Sequence, residues 1–394
     1  MNRTDKDMDN KWDMLESSNE DREKIWAKNR TFAGDVWFRF RHKPTAIAGL
    51  IIIVVLILFA LVGPMFTSYS YSAQNLDVVN IPPRMKVFET PDGDGYLYIT
   101  QALKILHVNA DGTLGEQLRK VKDDKSQSML IYDYNGKEVG LYYGVKPYVV
   151  ADPQARTIYP STKVWNKSYI LGTDNLGRDI LTRLMYGTRV SLLVAFVAAA
   201  VNMVIGILFG GISGYAGGMV DTVMMRIVDI ISTIPLTLYV ILIMVVMGSG
   251  LKSIIVALGT VYWVDMARVV RGQVLSLKGQ EFVMAAKTIG SSTKTILLEH
   301  LIPNAMGSIL VTVTMLIPSA IFMEAFLGYV GIGLQPPLAS LGTMCNDATE
   351  NLRSCPHQLF LPALVICLIM FGFNFVGDGL RDALDPKDVY KRQM

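Results

Sequence analysis

The sequence predicts an all-α polytopic membrane protein with six transmembrane helices and a small β-rich extracytoplasmic insert between helices 1 and 2. Three observations predict it. Hydrophobic residues make up 51% of the 394 positions and charged residues only 18%, a balance foreign to soluble domains. The runs 44–76, 190–220, 230–251, 301–323 and 354–377 contain no Asp, Glu, Lys or Arg. Each holds the roughly 20 apolar residues that a helix needs to cross a hydrocarbon core. A sixth run, 253–270, is apolar except for Asp265 and Arg268. Finally, residues 67–168 are rich in Tyr, Asp, Lys and Gly, with no stretch able to span a bilayer.

The net charge of +3 says less than its distribution. Basic residues concentrate in 1–45, in the loop containing Arg271, Lys278, Lys287 and Lys294, and in a tail with Arg381, Lys387, Lys391 and Arg392. By the positive-inside rule these regions face the cytoplasm, and an even number of spans puts both termini there. The expected location is a cell membrane, crossed several times.

In chain order, residues 1–45 read as a charged cytoplasmic arm. Its last part, Val36 to Lys43, mixes aromatic and basic side chains suited to interfacial anchoring on membrane lipid. Helix 1 covers 46–66. The long polar stretch before it makes this run a retained anchor rather than a leader. In the insert, 67–168, alternation over Tyr96–Thr100 and Ile105–Val108 predicts strands. Met129–Tyr134, Asn135-Gly136 and Lys137–Tyr143 form the clearest hairpin signal, since Asn-Gly suits a type I′ turn. The insert reads equally as a docking platform for an external partner and as a cap packed over the membrane domain.

The core, 169–386, opens with Leu171-Gly-Thr-Asp-Asn-Leu-Gly-Arg-Asp. Thr173 or Asp174 caps a helix start, and Leu176, Ile180, Leu181, Leu184 and Met185 form an apolar stripe opposite Arg178, Asp179 and Arg183. With Gly177, this predicts an amphipathic helix lying at the outer interface and leading into helix 2 (190–214). Gly206, Gly210 and Gly214 repeat every four residues, a pattern that allows close helix packing in lipid. Helix 3 contains Pro235, with Arg226 and Asp229 three apart before it. Helix 4 carries Asp265 and Arg268 at the same spacing. Helix 5 ends at Glu324, ahead of a Gly/Pro turn containing Gln335, Pro336 and Pro337. Glu324 is the deepest carboxylate and either lines a pathway or braces that turn. Asp229 and Gln335 are weaker pathway candidates. Helix 6 covers 359–377, and 387–394 is a tail.

Between helices 4 and 5 the loop 271–304 holds the most distinctive stretch, Glu281 to Asn304. Phe282, Ala285, Ala286 and Ile289 recur on one helical face, Gly290 interrupts, and Ile296, Leu297 and Leu301 restart the pattern before Pro303. The small alanines suit a helix gripped by another protein. A plain connector between spans fits the spacing equally well.

No catalytic chemistry is visible. Gly136-Lys137 is the sole Gly-Lys pair and belongs to no phosphate loop, and neither GxSxG nor HExxH occurs. Three cysteines and four histidines give no metal-ligand spacing. Cys345 and Cys355 share one external loop and are candidates for pairing. Nothing points to nucleic acid. Sparse membrane carboxylates disfavour an ion-coupled carrier, and 1–45 supplies no output domain for a receptor. A protein that moves a solute without its own energy source must borrow one.

Glu281-Phe-Val-x-x-Ala285-Ala286-x-x-x-Gly290, followed by His300-x-x-Pro303-Asn304, resembles the EAA loop of ABC importer permeases, in the form found in the dipeptide/oligopeptide family. Four further blocks resemble that family's C-type subunit: Leu171 to Asp179, Arg226-x-x-Asp229 with Pro235, Glu324-x-x-Leu327-Gly328 through Gln335-Pro336-Pro337, and Gly377-Asp378 through Asp385-Pro386. Met284 stands where the broader pattern has a glutamate, so Glu281 is not that glutamate. The insert is longer than in the shortest members, and Asp388 to Met394 match nothing in the pattern.

The resemblance implies a type I ABC importer arrangement and a non-catalytic subunit that moves di- or oligopeptides inward. It implies a second, B-type permease, an extracytoplasmic peptide-binding protein, and two cytoplasmic ATPases that carry ATP and Mg while this chain binds no cofactor. Glu281, Phe282, Ala285, Ala286, Gly290, His300, Pro303 and Asn304 are the expected ATPase-coupling residues. A metal chelate or another small solute is the alternative cargo.

Overall fold

The computed structural model describes residues 31–144 and 146–384. The arm before Thr31, Asp385-Pro386 and the tail 387–394 lie outside the described residues.

Helix α1 (Phe32–Arg41) is capped by the Thr31 hydroxyl, and α2 (Pro44–Leu61) follows with Pro44 at its first turn. The expected aromatic anchor is only partly an anchor. Trp37 is exposed, but Phe40 is buried with Ala46 and Ala383.

The insert is nine strands: β1 (Arg84–Glu89), β2 (Gly95–Ile99), β3 (Ile105–Asn109), β4 (Leu114–Gln117), β5 (Arg119–Asp124), β6 (Met129–Tyr134), β7 (Lys137–Tyr142), β8 (Val149–Ala151) and β9 (Ser161–Trp165). They form two antiparallel sheets, ordered β4-β3-β2-β1-β9 and β5-β6-β7-β8. The expected hairpin is β6–β7, with Tyr134 paired to Lys137. Asn135 and Gly136 both take positive φ, 52° and 84°, as a type I′ turn requires. One face of each sheet contributes to a shared core of Phe88, Leu97, Ile105, Tyr132, Val139 and Leu141. The other face of the first sheet buries Met85, Val87 and Leu106 against Val78 and Ile81, in the segment leading from α2. The Tyr134 hydroxyl donates to Asp94 at 2.7 Å, and burial with that carboxylate pushes the phenol up to about 12.

The membrane helices follow: α3 (Ile180–Ala216), α4 (Gly218–Thr233), α5 (Leu236–Met247), α6 (Leu251–Val261), α7 (Trp263–Leu277), the short α8 (Glu281–Thr288), α9 (Ile302–Tyr329), α10 (Leu341–Ala348) and α11 (His357–Leu384). Among the described residues five helical segments are long and apolar enough to cross a membrane, or six if the bent pair α4–α5 is one span. That pair turns by 85° at Ile234–Pro235. Ile234 is extended (φ −80°, ψ 126°) because a residue before proline is pushed out of the helical region.

Other boundaries also differ from expectation. Helix 2 begins at Ile180 rather than 190, and helix 4 runs on to Leu277 through Asp265, Arg268 and Arg271. Helix 5 does not end at Glu324 but continues to Tyr329. In each case the polar residues sit on helices that extend past the apolar run, which an apolar window cannot register.

The glycine stripe packs as its spacing implies. A Cβ on Gly206 would strike Met266, one on Gly210 the Ala267 carbonyl, and one on Gly214 would lie 2.9 Å from the Arg271 carbonyl. Thus α3 lies directly on the backbone of α7. Gly49 and Gly372 bring α2 equally close to α11.

Candidate functional site

The loop between α7 and α9 folds into a two-part handle. Its first part, α8, has Gln280 as N-cap with no side-chain cap, its carbonyl accepting from the Val283 and Met284 N–H groups, and Glu281 puts a negative charge in the first turn. The expected apolar face divides in two. Ala286 turns inward with Val283, joining Met266, Val270, Val274, Ile296 and Leu301 in a buried cluster. Phe282, Ala285 and Ile289 face outward with Met284, Phe282 at 41% and Ile289 at 82% exposure. An eight-residue helix that is apolar on most sides buries whichever stripe meets its neighbours, and Val283 supplies the anchor that the periodicity missed. Lys287 places its Nζ 5.4 Å above the Tyr215 ring, and Lys278 donates to the Gly214 carbonyl at 3.0 Å. Both tie the handle to the end of α3.

Gly290 ends α8 at φ +83°. The Ser291 N–H returns to the Ala286 carbonyl at 3.0 Å, and Gly290 N–H to Lys287 at 3.0 Å. A left-handed residue closing such a turn is the reason for glycine there. The second part starts at Ser292, whose hydroxyl accepts from Thr295 N–H at 3.2 Å. Thr293–Thr295 passes into a wide π turn, Ile296–Leu301, and then into α9. Pro303 explains the wide turn: it has no N–H to offer the Glu299 carbonyl, and its ring would clash there in a regular helix. Asn304 donates its side-chain amide to the His300 carbonyl at 2.5 Å, serving a group on the same disturbed turn. Pro303 and Asn304 remain exposed and line a cleft of about 720 Å³ with Gln273 of α7 and Arg381 of α11.

The other expected site residues separate into three places. Asp229 is exposed on α4, 3.8 Å from Arg226 and 3.5 Å from Arg268. Glu324 is fully buried, where one carboxylate oxygen accepts from the Ser191 hydroxyl of α3 at 2.6 Å and the other has no partner. Gln335 is exposed and shares a small recess of about 140 Å³ with Arg183 and Asp347.

The amphipathic interfacial helix expected at Thr173–Asp179 is not there. Thr173 to Arg178 form a buried turn closed by a Thr173–Asp179 bridge, and Asp179, not Thr173 or Asp174, caps α3 by accepting from Thr182 N–H at 2.8 Å. Burial pushes the Asp179 carboxyl up. Arg178 and Arg183, each 3% exposed, both bind Asp174 and reach across to Asp347 of α10 at 3.0 and 3.2 Å. The charged stripe is therefore turned inward, because its counter-ion arrives from far along the chain. Gly177 (φ +70°) packs against the Asn75 backbone, and Thr173 exchanges hydrogen bonds with Ile81, so this turn also fastens the insert. Cys345 and Cys355 are both free and buried, and burial pushes the Cys345 thiol up to about 11.

Sequence reasoning missed two polar ties. Asp221 accepts from the Nε and one Nη of Arg271, at 2.5 and 2.6 Å, and also from the Ser213 hydroxyl, joining α3, α4 and α7. Asp347 likewise carried no local signal.

Residues 206–388 match the family described as the binding-protein-dependent transport system inner membrane component, and 31–83 match the N-terminal TM domain of oligopeptide transport permease C. The oligopeptide transport system permease protein OppC of Bacillus subtilis (strain 168) is 42% identical over 93% of each chain. The dipeptide transport system permease protein DppC of the same organism is 35% identical over 95% of this chain and 92% of its own. OppC of Escherichia coli (strain K12) is 34% identical over 93% and 95%. Among solved structures, an inward-facing MetNI methionine ABC transporter matches at 22% identity and a TM-score of 0.43, over 51% of this chain and 96% of that one. With relatives of this identity along nearly the whole length, the chain belongs to the dipeptide/oligopeptide family of ABC importer permeases, as a C-type subunit.

Proposed function

We propose that this permease forms a pathway for di- or oligopeptides with a B-type partner and is driven by two ATPases, one of which grips the handle at Glu281–Asn304. The relatives' names support the peptide cargo. In this reading α4–α5 is the sixth span, both termini and the handle are cytoplasmic, and the insert faces a peptide-binding protein outside. ATP and Mg belong to the ATPases, and this chain performs no chemistry.

The observation that carries the reading is the division of α8. Val283 and Ala286 fix the helix to the membrane domain, while Phe282, Ala285 and Ile289 stand out as an apolar ridge that none of the described residues covers. Such a ridge on a short, well-anchored helix is a knob for an apolar groove. Gly290 and Ser292 set the angle between the two parts, and closure of the ATPases moves the handle as a rigid body.

Ala285→Glu tests this without disturbing the buried stripe. The variant inserts and assembles with its partner permease but loses copurification with the ATPases and loses peptide uptake. Normal copurification and uptake would sink the coupling role of the ridge.

A further inference from the structure

We propose that the junction between the insert and the start of α11 is a binding site for an anionic phospholipid of the outer leaflet. A groove of about 920 Å³ lies there, walled by Pro82 and Trp165 of the insert, by Ile170, and by Leu361 on the second turn of α11. Its lining surface is largely apolar, and Leu361 in its wall belongs to a membrane-spanning helix whose neighbouring Phe360 and Leu364 are exposed. An acyl chain lying along α11 enters it without leaving a hydrocarbon surface.

The rim is basic. Strands β1 and β9 pair with Arg84 opposite Trp165 and Lys86 opposite Lys163, so these side chains share one face of the sheet. Lys167 lies just beyond the end of β9 and, with Arg84, lines the groove itself. The Arg84 guanidinium stands 5.8 Å from the centre of the Trp165 ring. Among the described residues none of these four cations forms a salt bridge, although the Lys86 Nζ stands 5.5 Å from the Phe88 ring, and of the four Arg84 and Lys167 line the groove. Lys167 also acts on the Asp111 carboxylate across the β3–β4 turn.

Two residues that line the groove each carry a buried nitrogen with no partner among the described residues. Asn166 is 3% exposed; its Oδ1 accepts from Tyr169 N–H, yet its Nδ2 donates to nothing. The Nε2 of His357 is also buried and unpartnered. An apolar groove lined by an asparagine with an unused amide donor, by Arg84 and Lys167, and by an exposed tryptophan matches a phosphate headgroup with its chain in the groove. A neutral lipid leaves the cations unmatched, and a soluble anion leaves the groove empty.

The assignment to the outer leaflet rests on the extracytoplasmic placement of the insert. Impermeant labelling of Lys163→Cys in intact cells tests that placement separately, so each claim can fail alone. For the site itself, the assembled transporter is reconstituted in nanodiscs of equal parts phosphatidylglycerol and phosphatidylcholine, and retained lipid is measured by native mass spectrometry. Wild type retains phosphatidylglycerol preferentially. Each basic residue near an anionic surface is worth about fivefold in binding, so Arg84→Gln/Lys167→Gln lowers the preference by about 25-fold. Lys122→Gln/Lys125→Gln, on the other sheet, leaves it unchanged. Equal retention of the two lipids by wild type, as when a partner protein fills the groove, overturns the proposal. So does an unchanged preference in the groove variant, or an equal loss in the control.

Discussion

Gly210→Ala is the sharpest probe of how α3 and α7 hold together. A Cβ on Gly210 would sit 2.3 Å from the Ala267 carbonyl oxygen and 3.0 Å from the Arg271 nitrogen. Both obstacles are backbone, so no side chain can swing away, and the helices must part by about 1 Å to restore ordinary contact. Parting them also loosens the contacts at Gly206 and Gly214. Overpacking of this kind costs about 1–3 kcal/mol, while replacing glycine by alanine within a helix returns about 0.5–1 kcal/mol. Gly272→Ala is the matched control: it lies in α7, and outside its own helical turn no described residue comes within 4 Å of the added methyl. The helical gain is common to both variants, so their difference isolates the overpacking, about 1–3 kcal/mol. Denaturant unfolding of the purified transporter in detergent measures it. If Gly210→Ala is as stable as Gly272→Ala, the close approach of the two helices is not what the glycine stripe provides.

Two other outcomes can be read directly. Arg183→Ala leaves Asp174 with half its buried compensation and is expected to cost about 3–5 kcal/mol. Asp347→Asn, at the more exposed end of the same network, costs less; thermal unfolding ranks them, and a reversed order refutes the network. Cys345 and Cys355 resist maleimide at neutral pH, because burial raises both thiols and the Cys345 thiolate forms only as the pH approaches about 11. Labelling of Cys345 at neutral pH, or a mobility shift on oxidation, contradicts their buried free state.

What could be read from the sequence was what local chemistry decides. Asn135-Gly136 specifies its turn within two residues, and the glycine repeat marks its own face of α3, so both appear where expected. The turn at Thr173–Asp179 went the other way for a distant reason. Arg178 and Arg183 resemble a solvated helix face until Asp347 comes in from α10, and no window containing them includes it. The inner stripe of α8 was hidden for a different cause. Phe282, Val283, Met284, Ala285 and Ala286 are five consecutive apolar residues, so periodicity cannot choose which pair turns inward; the core of α7 and Ile296 chooses.

The placement of Glu324 acquires a meaning from that arrangement. The segment from Thr293 to Tyr329 is helical over 37 residues. At about 1.5 Å per residue it is a rod of about 55 Å, longer than the hydrocarbon core is thick. The handle is attached at one end, through Ser292 and the π turn. Near the other, Glu324 bonds to Ser191 of α3. The handle also touches α3 directly, through Lys287 on Tyr215, and α3 is locked to α7 along the glycine stripe. A displacement of α8 therefore reaches α3 at two separate places, once by contact at Tyr215 and once along the rod at Ser191. Two attachments to one helix transmit rotation as well as translation, which a single flexible connector cannot do. A fully buried carboxyl held by one well-formed hydrogen bond from Ser191, with the Ser340 hydroxyl also close, is a costly way to join two helices. In the proposed cycle the cost has a use, because a tie of low net stability can be remade when the rod moves.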